Sequence, residues 1–519
     1  MTGQPTLGEM SVHAATSSEA LVLSGDRLDV VGLEQVARSG RRVALSAETV
    51  ARMERSRAAL EGALGAKRAI YGVNTGFGSL SRQRLESGEL AEVQQNLLRS
   101  HAACVGPALD GPVVRGMLLL LAASLCRGRS GVRAEVAGAI VSLLNAGITP
   151  VVPETGSVGA SGDLAPLAHA CLVLTGEGEA VVDGKRVSGA EALRLRGLAP
   201  ITPSAKEGLA LINGTHLMAA QAALLMADFD RLFDAALVGV AMSIDACRAT
   251  DAFLDDRVYA ARNQVGPRRV AARVRAMLRG STIVTSHLEN DPRVQDPYSL
   301  RCAPAVLGAS LDSAEHVRRA VDLELGAVTD NPLIFDDEPV VVSAGNFHGM
   351  PIALPLDVLA LALAHVAGVS ERRTFLMLAA SDPESHLRPH LSPRPGLHSG
   401  LMIAQYTAAA CCNEIVGLAN PATTINLPTC AGMEDYNSFG PRSAAKARRS
   451  LELTRRVVAI ELLCAAQAIE SHRPLRSGEP VERAHALIRG VVPSLTADRP
   501  PSPDIEAIAG LIEAGRFGD

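Results

Sequence analysis

The chain of 519 residues is 47% hydrophobic and 20% charged, has a formal charge of −5 and contains no tryptophan. That composition supports a large aliphatic core and excludes wholesale disorder. Basic and acidic residues are mixed along the chain, so no electrostatic footprint for nucleic acid is present. Residues 1–21 lack the basic start and apolar stretch of a secretory signal and read as a disordered tail. No uninterrupted apolar run approaches the ~20 residues that span a bilayer; the longest near-miss, MLLLLAASLC at 117–126, is followed at once by RGR. Nine cysteines, none in a C-x-x-C pair, fit reduced thiols in a cytoplasmic protein.

In chain order, residues 45–64 predict a helix opened by a serine cap with a glutamate close behind. PVVRGMLLLLAASLCRG and VRAEVAGAIVSLLNAG predict two more, each closed by glycine. EAVVDGKRVSG at 179–189 alternates around Asp183-Gly184 and predicts a small β-hairpin. Beyond it the segments 217–249, 304–326, 351–379 and 442–470 are long, rich in Ala and Leu, and helical in spacing. They are apolar on more than one face, which requires burial inside a bundle or against other subunits. The fold expected is mainly α: a long-helix bundle over 217–519 with a smaller N-terminal lobe over 22–216, forming one unit.

The connections are rich in Gly, Asn and His: YGVNTGFG (71–78), GSVGASGDLAP (156–166), LINGTH (211–216), VQDPYSLRC (294–302), TDNPLIF (329–335), AGNFHGMP (344–351), GLHSG (396–400) and MEDYNSFG (433–440). Any one could be a turn or a helix cap; eight together point to a site built from loops. GASGD lacks the second glycine of a hydrolase nucleophile elbow, and no clear strand precedes it. A phosphate-binding G-x-x-x-x-G-K-[ST] and a zinc-binding H-E-x-x-H are both absent, and His386, His390 and His398 read as exposed loop histidines. One chemistry remains. In a tightly bent Ala-Ser-Gly tripeptide the glycine nitrogen can add to the alanine carbonyl with loss of water, after which serine loses its hydroxyl. Small neighbours permit that bend.

GSVGASGDLAPLAHA is similar to the signature of the histidine and aromatic amino acid ammonia-lyases. YGVNTGFG, QQNLLRSHA, INGT, VQDPYSLRC, TDNPL and GNFHG resemble further motifs of that family, in family order, over roughly residues 22–515. The resemblance implies that Ala160, Ser161 and Gly162 condense into 4-methylidene-imidazole-5-one, with no metal or nucleotide, and that Asp163 either aids proton transfer in that cyclisation or caps the following helix. It further implies Tyr71 as the base for the β-proton, in surroundings that favour the phenolate. Arg301 matches the partner of the substrate carboxylate, Tyr298 a tyrosine beside the prosthetic group, and Asn213 and Gln295 amides that bond the cofactor carbonyl or substrate. Phe347 matches a ring packed over the cofactor, His101 and Glu434 match contacts to the substrate ring, and Asn346 and His348 support their loop. The assembly implied is a homotetramer with active sites shared between subunits, acting on a small amino acid without membrane or nucleic-acid partners.

His101 and Glu434 favour L-histidine, giving urocanate and ammonia. Gly432, Met433, DYNSFG, His398, Leu401 and RNQVGP (262–267) depart from the usual histidine-lyase pattern. They leave open a tyrosine ammonia-lyase or tyrosine 2,3-aminomutase. An inactive helical scaffold is the third reading, and the intact Ala160-Ser161-Gly162, Tyr71 and Arg301 argue against it.

Overall fold

A computed structural model describes residues 19–518 apart from 66–69, 290, 336 and 339, so the expected N-terminal tail lies, up to residue 18, outside the described residues. The four long apolar segments form helices at His216–Ala246, Ala303–Glu324, Met350–Ala379 and Gly440–Ile469. The His216–Ala246 helix is buried along almost its entire length, which its Ala, Leu, Met and Val residues on every face require. It packs on Gly440–Ile469 and on the Gly111–Cys126 helix. Met350–Ala379 packs on Gly440–Ile469 and Ala303–Glu324. One apolar core runs from Leu23 to Phe517.

Met350–Ala379 is long and apolar enough to cross a membrane by length and composition, so the longest near-miss is this helix and not 117–126. Asp357 interrupts its apolar run. The carboxylate is buried, accepting from Lys446 Nζ at 2.8 Å and from the Thr423 N–H at 2.9 Å. A core helix of a bundle tolerates such a charge because it is paired and hydrogen-bonded there.

The hairpin forms at Glu179–Val182 and Lys185–Ser188, with Asp183 and Gly184 both at positive φ, the geometry of its two-residue turn. Ser46 accepts from the Thr49 N–H at 3.1 Å and caps the Ala47–Gly65 helix; Glu48 lies in the first turn. A three-residue strand, Pro153–Thr155, pairs antiparallel with Val105–Ala108 ahead of the serine loop, where no strand was expected. Eight residues separate it from the Leu164–Leu172 helix, so the tight strand-to-helix elbow of a hydrolase is not formed.

That loop is held across the start of the buried central helix. Gly162 bridges to Gly214, and the Asp163 N–H donates to the Gly214 carbonyl at 2.7 Å. Gly162 has φ +74°, and a Cβ there would stand 2.2 Å from the Gly214 oxygen, so only glycine fits. Asp163 precedes Leu164–Leu172 without capping it through its side chain. Its Oδ2 instead accepts from the Leu217 and Met218 N–H groups at 2.9 and 3.1 Å, capping the helix that begins at His216. The close Gly162–Gly214 crossing directs the carboxylate to that helix rather than to its own.

Candidate active site

A cavity of about 1030 Å³ opens over the serine loop. Its wall includes Tyr71, His101, Ala160, Ser161, Asn213, Phe347 and Glu434. Residues far apart in sequence thus meet because the loops at 71–85, 158–162, 343–348 and 430–436 gather at one end of the helices.

Glu434 is the hub. Its Oε1 accepts from Ser161 Oγ at 2.6 Å and its Oε2 from Thr429 Oγ1 at 2.9 Å. Thr429 also closes the loop through its N–H, which donates to the Glu434 carbonyl at 2.8 Å. Lower on the same loop the Asn437 N–H donates to Asn426 Oδ1, and Asn426 Nδ2 donates to the Asn437 carbonyl. Asn213 Nδ2 donates to the Ser161 carbonyl at 3.0 Å, while its Oδ1 is buried with no partner among the described residues.

Tyr71 sits on a turn in which the Gly72 N–H donates to Thr75 Oγ1. Its phenolic oxygen accepts from the Gly78 N–H at 3.1 Å. Burial nevertheless raises the phenol above its ordinary value, helped by nearby Cys430 and Glu434 and opposed by Gly78. The expected phenolate-favouring setting is therefore not found in the single chain: one backbone donor does not offset lost hydration. His101 is held below its ordinary value by burial, and its Nδ1 lies 2.9 Å from the Leu97 carbonyl. With that hydrogen on Nδ1, Nε2 is left as an acceptor. Asp163, fully buried behind the loop, is raised to about 7 by burial against three donated hydrogen bonds.

Asn346 Nδ2 donates to the Val328 and Asp330 carbonyls, and His348 Nε2 lies 3.0 Å from the Tyr436 carbonyl, so both brace the rim as expected. Thr429 escaped the sequence reading, as did Cys430, whose Sγ accepts from the Ser79 N–H at 3.3 Å and ties the two rims. The proximity of Thr429 to Glu434, five residues on, was the available signal.

Gln295, Tyr298 and Arg301 do not line this cavity. They form a separate cluster on the short Tyr298–Arg301 helix and the loop just before it, with Gln295 and Tyr298 exposed and Arg301 half-buried. Arg301 donates to the Asp296 carbonyl at 2.8 Å and to Gln295 Oε1 at 2.7 Å, and its guanidinium lies 4.5 Å from the Tyr298 ring centre. Tyr298 is 70% exposed and Val294 94% exposed. His398 also lies away from the cavity, beside Asp498.

The chain belongs to the aromatic amino acid lyase family, whose model matches residues 28–490. It is 47% identical to the histidine ammonia-lyase of Symbiobacterium thermophilum, over 95% of this chain and 96% of that one. Among solved structures it resembles histidine ammonia-lyase from Trypanosoma cruzi with a TM-score of 0.89 at 38% identity, covering 96% of this chain and 94% of that one. It resembles the tyrosine aminomutase of Streptomyces globisporus with a TM-score of 0.90 at 33% identity, covering 96% and 98%.

Proposed function

We propose that this protein removes ammonia from L-histidine without an oxidant, yielding urocanate. The observation that carries the reading is Glu434, whose carboxylate stands 2.6 Å from Ser161 Oγ in a cavity that also holds His101. A ring with polar nitrogens finds partners there; a hydrocarbon ring would leave each such group unpaired at a cost of about 1–3 kcal/mol. The high identity to named histidine ammonia-lyases points the same way.

The serine loop fits the cofactor that the family resemblance implies. Ala160 is buried and small, Gly162 occupies a place where no side chain fits, and Asn213 holds the Ser161 carbonyl. The 4-methylidene-imidazole-5-one that Ala160, Ser161 and Gly162 would form supplies an electrophilic carbon that makes the substrate nitrogen a leaving group. Tyr71 takes the β-proton, Phe347 packs over the loop, and His101 and Glu434 engage the imidazole. Gln295, Tyr298 and Arg301 complete the cavity of a second copy in a homotetramer, where Arg301 pairs with the substrate carboxylate. The exposure of Gln295 and Tyr298 supports this role, and a guanidinium arriving beside Tyr71 would lower the phenol toward a working base.

The test compares L-histidine and L-tyrosine on one enzyme batch by the ultraviolet absorbance of the conjugated product. Histidine is expected to give the higher kcat/KM. Faster tyrosine turnover, or accumulation of β-tyrosine, would replace histidine with the tyrosine reading.

A further inference from the structure

Ser161 Oγ has one hydrogen-bond partner among the described residues, the carboxyl group of Glu434, to which it donates. We propose that Glu434 is a catalytic residue in the maturation of the chain itself, supplying the proton with which the Ser161 hydroxyl departs as water. The inference rests on reading Ala160-Ser161-Gly162 as the cofactor precursor.

Maturation removes two waters. In the first, Gly162 N bonds to the Ala160 carbonyl carbon, and the Ala160 oxygen leaves with the hydrogens of the Gly162 and Ser161 amides. In the second, the Ser161 Cα–H bond breaks and its electron pair forms the Cα=Cβ double bond. The Cβ–Oγ bond breaks, Oγ leaves with its own hydrogen and one more proton, and a solvent water takes the Cα proton. Hydroxide is a poor leaving group, so the second loss needs an acid at Oγ.

The geometry places that acid and aims it. Glu434 Oε1 lies 2.6 Å from Ser161 Oγ. Oε2 is engaged by the Thr429 hydroxyl, which donates to it at 2.9 Å. With Oε2 taken by Thr429, a proton that Glu434 takes up for the step goes on Oε1, the oxygen that faces Ser161 and to which the intact hydroxyl donates. Two other ionisable groups near the loop have contacts of their own. Asp163 accepts from Leu217, Met218 and Ser157. The Tyr71 oxygen is turned to the Gly78 N–H. Thr429 acts as a positioning residue for Glu434.

The experiment makes the full chain in a cell-free pulse and weighs the peptide containing 156–166 at successive times, without substrate. Wild type is expected to lose both waters. Glu434→Gln is expected to lose the first and hold the second, so that the form lacking one water accumulates and the second loss slows by at least ~10²-fold. Thr429→Val should slow the second loss partially and Thr429→Ser should restore it. Loss of both waters by Glu434→Gln at the wild-type rate would overturn the inference. Should that variant fail to reach native helicity, a wild-type rate in Thr429→Val would overturn it. A wild-type chain that kept both waters would instead defeat the cofactor reading beneath it.

Discussion

The cavity around Ser161 and the turn at 295–301 use the same kinds of side chain and are finished to different degrees. In the cavity, Glu434 is satisfied on both oxygens, Asn213 holds the Ser161 carbonyl, and Asp163 pins the loop to the central helix. In the turn, Arg301 is braced by Gln295 and Asp296 and lies over Tyr298, yet the group faces outward beside an almost fully exposed Val294. Under the proposed function, the cavity is the half of a site that carries out chemistry, and the turn is the half that binds.

The sharpest difference between the halves lies in Tyr71. Tyr71→Phe removes the oxygen that accepts from the Gly78 N–H, a loss of about 1 kcal/mol in stability that leaves the fold intact. If Tyr71 takes the β-proton, kcat falls by ~10²–10⁴ with KM little changed. An unchanged kcat with a raised KM would move Tyr71 to the binding half and erase the division.

A smaller effect separates the halves by pH. His216 begins the central helix beneath the serine loop, with neither ring nitrogen partnered among the described residues. Burial lowers its pKa to about 3. The unfolded chain takes up a proton near 6.5 and the folded chain does not. The stability His216 contributes is thus present above pH 6.5 and lost as pH falls toward 3, at ~1.4 kcal/mol per pH unit. Asp163, raised to about 7, acts with the opposite sign: its contribution is full below its unfolded value and lost as pH rises through 7. It is present in both chains of the comparison and cancels. Urea midpoints from pH 7 to 4 should show wild type losing ground to His216→Leu, whereas Arg301→Ala should track wild type throughout. Parallel curves for wild type and His216→Leu would show that this side of the cavity does not keep the imidazole neutral.

The long helices were legible because apolar residues on several faces leave a chain no choice but burial, as at His216–Ala246. The hairpin was legible because Asp183-Gly184 suits a turn at positive φ. Cavity residues such as His101, Ser161, Asn213 and Glu434 came from motifs whose order matched a family, and the chain brings them together. Asp163 was read as capping its own helix or moving protons; its capping target lies 54 residues on, a tertiary relation that local spacing does not encode. Thr429 was missed because a hydroxyl holding a carboxylate has no motif of its own. The placing of Gln295, Tyr298 and Arg301 outside the cavity was hidden for a similar reason. A motif records which side chains occur together in sequence and says nothing of which surface of the folded chain they occupy.

The claim that the two halves meet between copies is tested by co-expressing Ser161→Ala and Arg301→Ala chains and measuring histidine turnover against concentration. Alone, Ser161→Ala should be inactive, and Arg301→Ala should show a KM raised by roughly the 1.5–3 kcal/mol of a charge-assisted contact. In the mixture, an intact Ser161 cavity on one chain can receive an intact Arg301 from the other. The account predicts a new component with the wild-type KM. A mixture that shows only the raised KM of Arg301→Ala would contradict it.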